Sequence, residues 1–294
     1  PPAVAVTGEY RQEIEDRDPM KTTNHGSTAI AWQDAGHGEP ALLCLPGWCC
    51  EQTVFADFVR LAAPHRRTLT LDWRGHGASA AADAEFGLDG LLEDALAVIE
   101  ASGVTQVVPV ASSHAGWVAI ELRRRLGERV PALVLIDWLV MEPPSAFFGA
   151  LNGLRDAQAW QDTRDLLLAM WLPEGVSPAL AQQIRAQTGR HDASMWARAA
   201  HSIAAAYRAF GTPMRALSEL PDPPPVLHLA SRGAPVEALR EQQVFASVHP
   251  WFTVHRLAAR SHFPMLEAPA ATAAEVEGFL QRVQGWESVD LGCA

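Results

Sequence analysis

The sequence predicts an α/β protein with a mostly parallel central sheet, flanking helices and one helical insertion. Three observations carry that reading. Short apolar runs alternate with segments of helical period, as in repeated βαβ units. Several runs end in turn residues or a carboxylate, as at Pro46-Gly47, Asp72 and Asp137. The rhythm lapses over residues 143–220 and resumes after a proline cluster.

The elements follow in order. Ala41–Leu45 is uniformly apolar and stops at Pro46-Gly47; Thr68–Leu71 stops at Asp72. Leu88–Ala101 places Leu91, Leu92, Ala95, Leu96, Val98 and Ile99 at helical spacing before Gly103. Gln106–Val110 is valine-rich and reads as a strand, although its Pro109 weakens that reading. Gly116–Leu126 reads as a helix and Leu133–Ile136 as a buried strand. Next come helical segments alone, at Ala157–Trp171, Pro178–Thr188 and Ser194–Phe210, which predicts a cap over residues 143–220. Past Pro221, Pro223, Pro224 and Pro225, the rhythm returns with Val226–Ala230, Thr253–Leu257 and a helix near Ala271–Val283. The core is expected in two pieces, residues 25–142 and 221–285. Disordered tails are expected at 1–24, with Met20 as the start, and at 286–294.

Composition narrows the function classes. The 294 residues fit one large domain or two small ones at roughly 100–200 residues each. With 48% hydrophobic and 19% charged residues, a disordered or fibrous chain is excluded. The net charge of −11 argues against nucleic acid or an anionic membrane as partner. No apolar run reaches the roughly 18 residues that span a bilayer, and residues 1–20 lack the apolar stretch of a signal peptide. Cys44, Cys49, Cys50 and Cys293 form no CxxC pair. A zinc or disulfide framework is therefore not expected, and a cytoplasmic location is.

Four places can carry chemistry. Ser113 lies where the Gln106–Val110 run turns into a helix, with Ala111 and Ala115 two residues to either side. A serine on such a tight turn is a nucleophile elbow, although G-x-S-x-G is not met literally. An N-cap serine on an ordinary turn is the alternative. The loop Leu45-Pro46-Gly47-Trp48-Cys49 follows an early strand, where an oxyanion hole draws one backbone donor. That assigns the N–H groups of Trp48 and His114. His262 follows the last strand, where a base can reach Ser113. The remaining histidines, among them His25, His37, His65, His76 and His191, are expected to be mostly solvated. The acid is assigned to Asp137, after Leu133–Ile136, because the loop after Val226–Ala230 contains no Asp; Glu237 is the fallback. The stretch Asp72–Ser79 reads as structural, with Arg74 paired to backbone or acid groups and its glycines allowing close backbone approach.

In this order, Pro46-Gly47, Arg74-Gly75-His76-Gly77-Ala78-Ser79, Ser113 and His262-Phe263-Pro264 resemble the α/β-hydrolase superfamily over about 27–284. That resemblance implies an α/β-hydrolase fold with a helical cap. A narrower set resembles the cofactor-free 3-hydroxy-4-oxoquinoline 2,4-dioxygenases. It comprises Pro46-Gly47-Trp48-Cys49, Asp72-Trp73-Arg74-Gly75-His76-Gly77, Ser113-His114 with Gly116-Trp117, Asp137-Trp138-Leu139, Trp171-Leu172, His249-Pro250-Trp251-Phe252 and His262-Phe263-Pro264. Six of the ten tryptophans fall at these landmarks.

The narrower resemblance implies an enzyme with neither metal nor flavin. In it, His262, held by Asp137, deprotonates a substrate hydroxyl. The anion reacts with O2, and carbon monoxide leaves. Ser113 hydrogen-bonds the substrate, while Trp48 and Trp171 wall an aromatic pocket; core packing explains both tryptophans equally well. The family tends to carry histidines at two pocket positions where this chain has Cys50 and Ser112, so Cys50, Ser112 and His114 join the expected substrate contacts. Two chemistries stay open: cofactor-independent ring cleavage, and hydrolysis of an ester, lactone or amide through Ser113. Both partners are small molecules, an aromatic with O2 or an ester.

Overall fold

The structure, a computed structural model, describes residues 19–82 and 85–290. Eight strands form one sheet in the order β1-β2-β4-β3-β5-β6-β7-β8. They are β1 (Lys21–His25), β2 (Thr28–Ala35), β3 (Ala41–Leu45), β4 (Thr68–Leu71), β5 (Val107–Ser112), β6 (Leu133–Ile136), β7 (Val226–Ala230) and β8 (Phe252–Arg256). The pairs β1–β2 and β2–β4 are antiparallel; the rest of the sheet is parallel. Strands β3 to β7 are buried along their whole length, because helices cover both faces of a parallel sheet.

Two expectations are corrected. Residues 21–24, read as tail, form most of β1, which pairs with β2 across Gly26 at φ +60°. The final helix, Pro269–Asp290, runs past residue 285. Residues 1–18 and 291–294, the rest of the two expected tails, lie outside the described residues. Pro109 does sit inside β5. Pairing with β6 begins only at Val110, so the N–H that proline lacks falls before that ladder.

Two apolar clusters fill the two sides of the sheet. One includes Leu43, Leu45, Leu92, Val98, Trp117 and Ile120; the other includes Leu42, Val54, Phe58, Val108, Val134 and Leu280. The alternation of Leu42 and Leu43 between them is the period-two rule of a strand. Between β6 and β7 come five helices: Ser145–Arg155, Trp160–Trp171, Pro178–Thr188, Ala193–Phe210 and Pro213–Ser218. Ser177 and Asp192 cap two of them through their side chains. Helix Ser145–Arg155 packs on Ala193–Phe210, and residues of both face the carboxyl ends of β5 and β6 across a cavity. Among the described residues no helix is long and apolar enough to cross a membrane.

Candidate active site

The parallel strands deliver their chemistry at one edge. β5 ends at Ser112, and Ser113 follows with φ +54°, outside the region open to most side chains. A single 3-10 turn, Ser113–Ala115, leads into the helix Gly116–Leu126. Ala111 and Ala115 are fully buried at the flanking positions. The helix starts close against its neighbour: at Gly116 a Cβ would lie 2.3 Å from the Trp138 ring.

β6 ends at Ile136, and Asp137 follows, also left-handed at φ +46°. Its Oδ2 accepts from His262 Nδ1 at 2.8 Å, and its Oδ1 accepts from the Ser231 N–H at 2.7 Å. Burial raises the pKa of this carboxyl, but the bonds from His262 and Ser231 outweigh it and hold the group below its usual range. The fallback, Glu237, is exposed on the helix Val236–Val248.

His262 is fixed from two sides. Its N–H donates to the Trp171 carbonyl at 2.9 Å, and its ring stacks on Trp171 with centroids 5.3 Å apart at 19°. Trp171 ends a cap helix, so the cap holds the imidazole. Among the described residues no hydrogen bond joins Ser113 to His262, although both face the same cavity.

That cavity encloses about 340 Å³. Every residue assigned to it from sequence borders it: Trp48, Cys50, Ser112, Ser113, His114, Asp137, Trp171 and His262. Trp48 stacks on His114 and on Phe86, with centroids 5.6 and 5.8 Å apart, and its Nε1–H points at Met195 Sδ. Leu151, Leu154, Leu167 and Ile203 from the cap add apolar lining to the cavity. Burial pushes the Cys50 thiol up to about 12, so it stays neutral. Burial, with His262 and His76 nearby, pushes His114 down to about 3.

The loop after β3 is tied down by residues that sequence reasoning treated as solvated or structural. Cys49 is left-handed at φ +64°, and its N–H donates to His76 Nε2 at 3.0 Å. The other ring nitrogen of His76 faces the Arg74 carbonyl at 3.0 Å. His76, expected in solvent, is only 1% exposed. Trp73 Nε1–H holds the Pro46 carbonyl at 2.8 Å, and Arg74 pairs with the buried Asp94 at 2.6 Å. At Gly77, φ +49°, a Cβ would lie 2.3 Å from Asp72 Oδ2. Position after a strand located Ser113, Asp137 and His262. No such signal existed for His76 or for His228, which is 1% exposed and borders the cavity. Among the described residues no group of three or more His, Cys, Asp or Glu is placed to hold a metal ion.

Comparison with known proteins identifies the family. Residues 42–275 match the model of the alpha/beta hydrolase family. The 2-heptyl-3-hydroxy-4(1H)-quinolone dioxygenase of Mycobacteroides abscessus is 35% identical over 87% of this chain and 95% of its own length. The 1H-3-hydroxy-4-oxoquinoline 2,4-dioxygenase of Pseudomonas putida is 30% identical over 89% of this chain and 100% of its own length. A solved AqdC variant in complex with its substrate, from work on ring cleavage of the Pseudomonas quinolone signal, superposes with TM-score 0.85 at 34% identity. It covers 90% of this chain and 99% of that one. An esterase of Thermogutta terrifontis, 18% identical with TM-score 0.73, shares the fold. The chain therefore belongs to the alpha/beta hydrolase family, and is an enzyme of the kind formed by its 3-hydroxy-4-quinolone dioxygenase relatives.

Proposed function

We propose that this protein is a cofactor-independent dioxygenase that opens the ring of a 3-hydroxy-4-quinolone bearing an alkyl chain at position 2. The observation that carries the proposal is the His262–Asp137 pair, bonded at 2.8 Å in the wall of an aromatic cavity. The carboxylate fixes the imidazole proton on Nδ1 and leaves Nε2 to accept. The substrate's 3-hydroxyl gives its proton to Nε2, and the imidazolium is held by Asp137. The ring anion then reacts with O2 at carbon 2, and the peroxide closes on carbon 4. Collapse expels carbon 3 as carbon monoxide and leaves an N-acylanthranilate, so substrate and O2 balance against acid and CO. A dry, apolar cavity keeps the anion from competing solvent protons.

Trp48 and Trp171 border the cavity that takes the flat ring, with Ser113, Ser112, Cys50 and His114 as polar neighbours. Trp48 and His114 offer backbone N–H groups to the developing oxyanion. The apolar lining under the cap suits an alkyl chain, as the heptyl group in the names of relatives suggests. A second reading, ester hydrolysis through Ser113, is favoured by the serine's left-handed turn.

One experiment separates the two. The protein is supplied with 2-heptyl-3-hydroxy-4-quinolone in air and under nitrogen, and with p-nitrophenyl esters, as wild type and Ser113→Ala. The proposal expects O2-dependent loss with equimolar CO, reduced less than about tenfold by Ser113→Ala. Turnover without O2, or ester cleavage abolished by that variant with no quinolone consumed, overturns it.

A further inference from the structure

Behind the Asp137 turn lies a buried polar chain that the proposed reaction does not use. His228 sits in the middle of β7, paired in register with Leu135 of β6. It is 1% exposed, and Gln242, which faces it from the helix Val236–Val248, is 3% exposed. The Trp138 N–H donates to His228 Nε2 at 3.2 Å. A neutral ring must then carry its proton on Nδ1, which meets Gln242 Oε1 at 2.5 Å. Each group thus has one assigned role, and the ring is locked in one tautomer.

Burying an imidazole and an amide is costly unless both are bonded, and two leucines would fill this contact without that demand. What the pair adds is a hold on one backbone N–H, directly after Asp137. Asp137 is left-handed at φ +46°, a strained conformation that persists only where its surroundings fix it. Three bonds do so: Asp137 N–H to the Leu229 carbonyl at 2.8 Å, Ser231 N–H to Oδ1, and Trp138 N–H to His228. Two of the three come from main-chain groups that any sequence supplies. The third depends on His228 and, through its tautomer, on Gln242. The Asp137 carboxylate acts on His228 from the end of β6, and Glu241 borders the cavity on the helix beside Gln242.

We propose that His228 and Gln242 are positioning residues for the catalytic pair: together they clamp the turn after β6 and so aim the Asp137 carboxylate at His262. The proposal rests on the reading of His262–Asp137 as the base. Because both residues also border the cavity, direct contact with substrate is the competing role.

The test uses the full-length enzyme with three variants. Gln242→Glu keeps the side chain's shape but sets a carboxylate against Nδ1. That draws a second proton onto the ring, so Nε2–H opposes Trp138 N–H. His228→Leu removes the acceptor, and His228→Gln restores one. Steady-state O2 uptake gives kcat and KM across pH, and the downfield proton resonance of the His262–Asp137 bond reports its geometry. The clamp predicts that Gln242→Glu and His228→Leu lower kcat by about tenfold or more, as expected for a misplaced catalytic group. KM should stay within about twofold. The acid limb of kcat should move to lower pH, because a displaced carboxylate supports the imidazolium less, and the resonance should weaken. His228→Gln should retain most of the activity.

Unchanged kcat and pH limb in folded Gln242→Glu and His228→Leu overturn the clamp. So does a raised KM with kcat intact, which assigns substrate contact instead. A His262→Ala control separates the two levels: full activity there sinks the underlying base, whereas an inactive control beside unaffected clamp variants sinks the clamp alone.

Discussion

Replacing Asp137 by asparagine removes one charge and keeps the side chain's shape. In the native protein Oδ1 takes the Ser231 N–H at 2.7 Å and Oδ2 takes the His262 Nδ1–H at 2.8 Å. In the variant the Ser231 N–H keeps the amide oxygen, so the amide nitrogen faces His262. Two N–H groups cannot share that bond, and the imidazole must move its proton to Nε2, the atom that has to accept from substrate. The charge matters as well. With charge centres about 4 Å apart and an effective dielectric of about 20, the carboxylate favours imidazolium by about 4 kcal/mol. That is about 10³ in the proton-transfer equilibrium, and the tautomer change raises the expected loss of kcat to between about 10³ and 10⁴. Anaerobic stopped-flow mixing with substrate isolates deprotonation from the oxygen step. A second arm raises pH above the hydroxyl's own pKa, where substrate arrives ionised and O2 uptake by the variant should largely recover. Activity within about threefold of wild type at neutral pH refutes the base assignment, as does a defect that alkaline pH leaves undiminished.

Two further outcomes are expected. Gly116→Ala puts a Cβ 2.3 Å from the Trp138 ring, which packs edge-on against Trp117; a loss of about 1–3 kcal/mol is expected from urea unfolding, and an unchanged midpoint would contradict that packing. Burial pushes both His76 and His114 down to about 3, so the folded protein keeps them neutral while the unfolded chain takes up protons below about 6.5. Stability therefore falls as pH drops from 6.5 toward 3, by about 1.4 kcal/mol per histidine at pH 5.5, and burial of His228 acts in the same direction. Equal urea midpoints at pH 7.5 and 5.5 would refute this.

Legibility in the sequence tracked burial. Ala41–Leu45, Thr68–Leu71, Leu133–Ile136 and Val226–Ala230 are strands at the expected bounds, because a strand covered on both faces is apolar throughout. β1, with the sequence Lys-Thr-Thr-Asn-His at a sheet edge, has no such signature and passed for tail. The same logic divides the site. Ser113, Asp137 and His262 each follow a strand, so chain position alone brought them to one rim. His76 and His228 depend on partners 27 and 14 residues away, the Cys49 N–H and the Gln242 amide, and nothing local marks such a bond.

The elbow serine and the supported imidazole do not by themselves select hydrolysis. An imidazole backed by a carboxylate takes a proton from whichever acid lies against Nε2. In this chain the ring is stacked on Trp171 and the His262 backbone N–H is tied to the Trp171 carbonyl, at the end of a helix that also walls the cavity. Those contacts place aromatic surface beside the imidazole. On the proposed reading, a planar hydroxyaromatic entering beneath the cap presents its hydroxyl to Nε2 and has no need of the serine as nucleophile. On that reading the choice of reaction lies in the cap, which decides what reaches the histidine, while the sheet supplies the same imidazole to either chemistry.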